Sequence, residues 1–279
     1  SDRLGWAAAD PHLSIAASSR PARVVNRVAN GKLYLVPTPL DFGTAQAQPL
    51  AQVLPEQTMQ TAASLRHWVA ENAKSLRAFL KRVHDTHPLA CPLQEMDIQE
   101  LPRAVHKHGD HGGDFDARPL LAAALTGADL GLVSEAGMPA VADPGSSVVR
   151  AAHAMGLEVV PLVGPVSLLL ALAASGLNGQ HFAFVGYLPQ EATARLARLK
   201  QVEQLALKTG QTQIWIETPY RNAAVWGAAL QALQPQTRLC VAQGLTLSGQ
   251  RVRTLSVAQW RSQSMDLDGD TPAVYALGA

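Results

Sequence analysis

Three apolar runs in this chain end on a carboxylate. Trp68-Val69-Ala70 leads into Glu71, Leu132-Val133-Ser134 into Glu135, and Ile214-Trp215-Ile216 into Glu217. Each run has the length and composition of a buried strand, and strand ends are where parallel sheets present ligand-binding groups. A carboxylate there can accept a proton, hold a cation or cap the next helix, whose N-terminal end favours negative charge. For any one Glu the capping role is as good an account as the chemical one. Three in the same setting suggest the rim of a site.

The second run opens into a stretch too long and too rich in small residues to be only a turn. From Ser134 to Gly145 it reads Ser-Glu-Ala-Gly-Met-Pro-Ala-Val-Ala-Asp-Pro-Gly. Small residues let backbone groups approach a flat ligand closely, and Asp143-Pro144-Gly145 is suited to restart a helix. Neither GxGxxG nor GxxxxGK[ST] is present, so a ligand held through its pyrophosphate is not indicated.

His106, His108 and His111 crowd together with Asp110, Asp114 and Asp116, with Gly109, Gly112 and Gly113 between them. A metal site is the sharper reading. The glycines loosen the backbone, so a mobile polar loop is expected, and no metal.

To position these groups the chain alternates short β-rich runs with helical ones, the pattern of an α/β fold with a largely parallel sheet. Strands are expected over residues 32–36, 67–70, 129–134, 157–162, 182–187, 213–216, 238–242 and 273–277. Helices are expected over 72–83, 119–125, 146–155, 165–174, 192–207 and 220–233, with Gly127, Gly156 and Gly176 where helices should stop. The polar stretch 175–180 is the candidate linker, with the domain boundary there or just after Gly164. The chain then divides into a flexible leader or arm over 1–30, an N-terminal α/β domain over 31–165 and a C-terminal α/β domain over 166–279.

The 279 residues, 47% apolar and 16% charged, suffice for two packed cores and exclude wholesale disorder. A formal charge of +1 supplies no global field for nucleic acid, so any RNA contact rests on a local patch. One such patch is Lys74, Arg77 and Lys81, at three- and four-residue spacing opposite Leu76, Phe79, Leu80 and Val83; an ordinary solvated helix face looks the same. Cys91 and Cys240 lie far apart and read as reduced thiols. No Asp, Glu, Lys or Arg falls between Glu158 and Glu191, yet Pro161, Gly164 and Pro165 break that run into a strand and a buried helix rather than a membrane span. A soluble, cytoplasmic protein is expected.

Several ordered motifs carry a resemblance. Leu35-Val-Pro-Thr-Pro39, Val133-Ser-Glu-Ala-Gly-Met-Pro-Ala-Val-Ala-Asp-Pro-Gly145, Pro161-Leu-Val-Gly-Pro-Val-Ser-Leu-Leu169, Ser175-Gly-Leu177, Gly186-Tyr-Leu-Pro189 and Glu217-Thr-Pro-Tyr-Arg221 follow one another from about Gly31 onward. Together they resemble the tetrapyrrole methylase superfamily of S-adenosylmethionine-dependent methyltransferases. Within it the chain is most similar to the bacterial branch that methylates a cytidine 2′-hydroxyl of small-subunit ribosomal RNA, and to a sister group of methyltransferases of unassigned substrate. It departs from the ribosomal branch at Leu40-Asp41-Phe42-Gly43, where that branch has Gly-Asn-Leu, and at Glu71-Asn72-Ala73-Lys74, where it has Glu-Asp-Thr-Arg.

The resemblance implies two α/β domains with the methyl donor, S-adenosylmethionine, in the cleft between them. It implies donor contacts from Pro37, Ser134, Glu135, Gly137, Val141, Pro165, Val166, Ser167, Leu188, Thr271, Pro272 and Ala273. Val166 stands where the family has a serine, which removes one hydroxyl. Acceptor contacts are expected from Glu71, Asn72, Lys74, Arg77, Tyr220 and Arg221, and Glu71, Glu217 and His108 are alternative proton acceptors. A homodimer acting on ribosomal or other RNA, or on the ribosomal subunit, is the expected form. Methylation of a small molecule such as a tetrapyrrole, or donor binding without catalysis, are the alternatives. Gly137→Val is expected to abolish donor binding by filling adenosyl space while leaving the fold intact.

Overall fold

The computed structural model describes residues 29–41, 47–113, 115–263, 267 and 269–279, and for His106, Lys107 and His108 the backbone alone. The expected leader lies almost wholly outside the described residues, as does Asp114. The first sheet is built from β1 (Leu33–Leu35), β2 (His67–Ala70), β3 (Asp97–Glu100), β4 (Leu130–Val133) and β5 (Val159–Pro161). Its order is β3-β2-β4-β1-β5, and every pairing is parallel.

Side chains alternate across this sheet as a period of two requires. On one face Trp68, Ala70 and Val133 pack under α1 (Glu56–Ser64) and α2 (Ala73–His84) with Met59, Leu76, Phe79, Leu80 and Val83. On the other, Leu33, Val69, Leu130 and Leu132 meet Val105 of α3 (Arg103–His108), Leu121 of the 3-10 segment Arg118–Thr126, and Val148 and Ala152 of α4 (Ser146–Ala154). Helices on both faces make the strands apolar throughout, which is why the runs before Glu71 and Glu135 are continuous rather than alternating.

The second sheet contains β6 (Phe182–Phe184), β7 (Thr212–Glu217), β8 (Arg238–Gln243), β9 (Arg251–Ser256) and β10 (Ala273–Gly278) in the order β6-β7-β10-β8-β9. Here the parallel expectation needs correcting. Only β6 and β7 run parallel; β7-β10, β10-β8 and β8-β9 are antiparallel. The connection from β8 to β9 is too short to carry a crossover helix, so the two strands form a hairpin. Trp215, Leu239, Val241, Tyr275 and Leu277 face α6 (Ala192–Thr209), α7 (Asn222–Ala232) and α8 (Val257–Arg261), with Trp215 stacked on Tyr275 at 5.4 Å. Ile214, Cys240, Ala242, Val274 and Ala276 face α5 (Ser167–Ser175).

The stretch after α5 is tied to this sheet. Gly176 ends the helix in the left-handed conformation, the Thr254 hydroxyl donates to the Ser175 carbonyl at 2.7 Å, and the Thr212 hydroxyl donates to the Asn178 carbonyl at 3.0 Å.

Candidate active site

Parallel neighbours β2 and β4 end side by side, which brings Glu71 and Glu135 together. The Glu71 amide extends the ladder by donating to the Val133 carbonyl at 3.1 Å, and the Glu135 amide donates to Glu71 Oε2 at 3.0 Å. Glu135 Oε1 accepts from Asn72 Nδ2 and from the Ser75 hydroxyl, each at 3.0 Å. The helix-capping role open to Glu71 falls instead to Asn72, whose Oδ1 accepts from the amides of Lys74 and Ser75 at 2.9 and 3.3 Å. Both glutamates, held by these contacts, line the space beyond the sheet.

The loop after Glu135 is fixed at both ends. Thr38 and Gly137 exchange backbone hydrogen bonds at 3.0 and 3.1 Å, pinning the Pro37-Thr38-Pro39 turn to it. At the far end the Asp110 carboxylate accepts from the Gly145 amide at 2.9 Å, the Ser146 hydroxyl at 2.7 Å, and the Ser147 amide and hydroxyl at 2.8 and 2.6 Å. Asp110 is buried, and although burial opposes its charge, the Ser147, Ser146 and Gly145 donors together hold its carboxyl below the ordinary value. The segment expected to be mobile is thus anchored here to the N-terminal end of α4. Between the anchors Ala140 and Ala142 adopt φ of 63° and 62°, left-handed backbone that costs a residue with a Cβ about 1–2 kcal/mol.

Gly137 has φ 75°, and a Cβ there would lie 3.1 Å from Leu40 Cδ2 and 3.5 Å from the Pro165 carbonyl oxygen. The expected effect of Gly137→Val therefore needs a different cause. The side chain would meet the wall formed by Leu40 and Pro165, and the backbone would be strained at its pairing with Thr38. Gly164 closes the same wall by close approach, since a Cβ on it would overlap Pro37 at 2.3 Å.

Between the ends of the two sheets lies a cleft of about 520 Å³. Of the expected donor contacts, Glu135, Gly137, Val141, Val166, Ser167, Thr271, Pro272 and Ala273 line it, and so do Glu71 and Glu217. Ser134 instead lines an adjoining groove of about 480 Å³, which shares Asp41 and Glu135 with the cleft and also takes in Thr38, Asn72, Lys74 and Arg82. Pro37 and Pro165 stand behind the lining, against Gly164 and Gly137. Leu188 is buried in the core under α6 and α7. Arg221 turns inward, donating to the carbonyls of Leu188 at 2.9 Å and Pro189 at 3.2 Å. Tyr220 is 80% exposed, Arg77 is exposed on α2, and the His108 side chain lies outside the described residues.

Sequence reasoning passed over other lining residues, among them Leu40, Asp143, Tyr187, Leu245, Leu247 and Asp270. Asp143 could have been singled out as the acidic residue ending a small-residue loop; its reading as a helix restart concealed it. The acidic groups in the lining are Asp41, Glu71, Glu135, Asp143, Glu217 and Asp270, and among the described residues no Lys, Arg or His joins them.

This charge acts on its members. Asp143 is pushed up to about 7, first by burial and then by the neighbouring Glu71 and Glu135 carboxylates, against a hydrogen bond with Ser134 that favours the charged form. The Tyr187 hydroxyl is raised by burial and by Asp143, Glu217, Glu71 and Tyr220. Glu217, its side chain fully buried, is held by Arg221 Nη2 at 3.3 Å and accepts from the Thr218 amide at 2.9 Å. Across Glu135, Lys74 and Arg82 give the adjoining groove a basic side, with Arg82 ion-paired to Asp41 at 2.9 Å.

Comparison with known proteins agrees with this arrangement. The family model of tetrapyrrole (corrin/porphyrin) methylases matches residues 57–260. A ribosomal RNA small subunit methyltransferase I of Pseudomonas aeruginosa is 30% identical over 82% of this chain and 71% of its own length. Proteins of the same name from Vibrio cholerae and Mesorhizobium japonicum are 32% and 36% identical over 63% and 61% of this chain and 59% and 55% of their own. The solved methyltransferase CobJ, 14% identical, aligns over 89% of this chain and 94% of its own with a TM-score of 0.52. A cobalamin synthesis related protein, CobF of Corynebacterium diphtheriae, 17% identical, does so over 90% and 99% with the same score. With a family model spanning most of the chain and a two-sheet fold shared with solved members of the group, this chain is a methyltransferase and belongs to the tetrapyrrole methylase family.

Proposed function

We propose that this chain transfers a methyl group from S-adenosylmethionine to RNA, with a ribose 2′-hydroxyl of small-subunit ribosomal RNA as the acceptor. The observation that carries the donor half is the acidic lining of the cleft, which suits a ligand bearing a sulfonium and an ammonium and repels a nucleoside polyphosphate. The residues fit such a ligand. Leu40, Val141, Ile216, Leu245 and Leu247 supply apolar wall for an adenine, and the loop that Gly137 keeps against Thr38 offers backbone groups without bulky side chains. When bound, the donor supplies an electrophilic methyl on a cationic sulfur. The chain's own part is to align the acceptor and exclude water, which can remove much of the barrier to an in-line displacement.

The acceptor half rests on the relatives and on α2. Lys74, Arg77 and Lys81 are exposed while Leu76, Phe79, Leu80 and Val83 are buried, and Lys74 reaches the groove beside the cleft. A backbone approaching along α2 would bring its phosphates past these side chains and its ribose to the wall formed by Glu135. Calorimetry with S-adenosylmethionine and mass spectrometry of RNA from a deletion strain test the two halves. Donor heat together with one missing ribose methyl supports the reading; a donor heat with unaltered RNA returns the acceptor to a small molecule.

We infer further a cytoplasmic homodimer of two-domain subunits, divided at about residues 165 and 166. Packing of α5 on the second sheet supports the boundary. Among the described residues no helix is long and apolar enough to cross a membrane. The helix α5 is apolar on every side, a pattern that belongs to buried helices, yet Leu169 and Leu170 are exposed. Phe182 and Phe184, also exposed, stand in register with Thr212 and Ile214 and so lie on the face of the second sheet that α5 covers. A second copy is the occupant that best accounts for this apolar surface.

A further inference from the structure

Resting on the reading of methyl transfer to a hydroxyl, we propose that Asp143 is the proton acceptor of the reaction, held at the cleft by the strained loop that precedes it. An acceptor hydroxyl needs somewhere to send its proton. As its oxygen forms the new bond to the methyl carbon, the carbon–sulfur bond breaks with its electron pair going to sulfur, and the hydroxyl proton passes to an Asp143 carboxylate oxygen and then to solvent. No other reactant is required.

Three other carboxylates of the cleft each receive a donor or an ion pair. Glu71 Oε2 accepts from the Glu135 amide, Glu135 Oε1 accepts from Asn72 and Ser75, and Glu217 is ion-paired with Arg221 and bonded to Thr218. These contacts already occupy oxygens of the three carboxylates and fix their orientation. Asp143 has the Ser134 hydroxyl as a partner and faces like charge, Glu71 from the end of β2 and Glu135 from the end of β4; beside it is the phenol of Tyr187, which in turn faces Glu217 of β7 and Tyr220. A half-buried carboxyl so surrounded is poised near neutrality, where a general base works best.

The backbone points the same way. Ala142, directly before Asp143, and Ala140 both have positive φ, and the Asp110 cap at Gly145, Ser146 and Ser147 holds the loop from its other side. Strain of this kind persists where surrounding structure enforces it, and here it sets the entry of Asp143 into the cleft.

The test reads protons as well as turnover. Binding a cationic donor beside a half-protonated carboxyl should release a fraction of a proton near pH 7, seen as a calorimetric heat that varies with the ionisation enthalpy of the buffer. Asp143→Asn should bind donor without that variation. In single turnovers the wild-type rate should rise with pH and level off near 7, while Asp143→Asn should lose roughly 10²–10⁴-fold with the rise abolished. Asp143→Glu should restore part of both the rate and the rise. Donor heat that is buffer-independent in the wild type, or a rise that survives in Asp143→Asn, overturns the assignment of Asp143 alone. Absence of any donor heat with folded wild-type protein overturns the donor reading and this assignment with it.

Discussion

Asp110 and Asp143 meet the same end of one loop, and their surroundings drive them apart. Asp110 collects donors and is held below the ordinary carboxylate range; Asp143 is held above it by burial and by the like charges around it. Their contributions to stability consequently run in opposite directions with pH. The Asp110 contribution is fully present above the ordinary value and is lost as pH falls through the depressed one. Asp110→Asn is expected to cost about 2–3 kcal/mol at pH 7, because buried donors lose a charged partner, and urea titrations monitored by circular dichroism measure it. The Asp143 contribution is largest in acid, where folded and unfolded chains are both protonated, and is lost as pH rises through about 7. Asp143→Asn should therefore match the wild type near pH 4 and exceed it at pH 8 by about 1 kcal/mol after allowing for solvent screening. Equal stability at both pH values would contradict the raised value.

At the level of elements, the loop from Ser134 to Gly145 and α2 separate what strain does from what charge does. At Ala142 a glycine would relieve the left-handed backbone but give more freedom to the unfolded chain, so Ala142→Gly should change stability by less than about 1 kcal/mol. Ala142→Val should cost more than about 1 kcal/mol, since a β-branched residue tolerates that backbone least, and thermal melts distinguish the two. On α2 the charge reversals Lys74→Glu, Arg77→Glu and Lys81→Glu leave the buried face untouched, so each should move stability by no more than about 0.5 kcal/mol. Together they should lower the slope of log RNA affinity against log salt by roughly one per lost phosphate contact. An unchanged slope would make this face a solvated one.

The same elements show what the sequence makes legible. Buried central strands were readable because both faces demand apolar residues, as in β2, β4 and β7. The two strands that escaped notice, β3 (Asp97–Glu100) and β9 (Arg251–Ser256), are edge strands that, unlike the apolar edges β5 and β6, carry the polar residues edges favour. Helix α8 was missed although Ser256 and Gln259 form a capping box whose spacing is visible in the chain. Within the site, Glu71, Glu135 and Glu217 stood out by following apolar runs. Asp143 did not, because its character comes from burial and from the Glu71 carboxylate more than 60 residues away, and spacing along the chain carries no trace of either.

Across the whole molecule the apolar side of α5 makes a measurable demand. If a second copy covers it, sedimentation should show a dimer, and Leu169→Glu combined with Phe184→Glu should yield a folded monomer. A wild-type monomer at micromolar concentration would leave that face for another partner. The position of β10 has a separate consequence, for synthesis. The first sheet is complete once residue 161 has emerged, but the second cannot close until residues 273–278 slot between β7 and β8 at its centre. A nascent chain therefore waits with a finished first half and an open second sheet, α5 and the exposed flanks of β7 and β8 available to wrong partners throughout. The same strand begins at Ala273 in the cleft wall, so the cleft stays incomplete until the second sheet has closed around it.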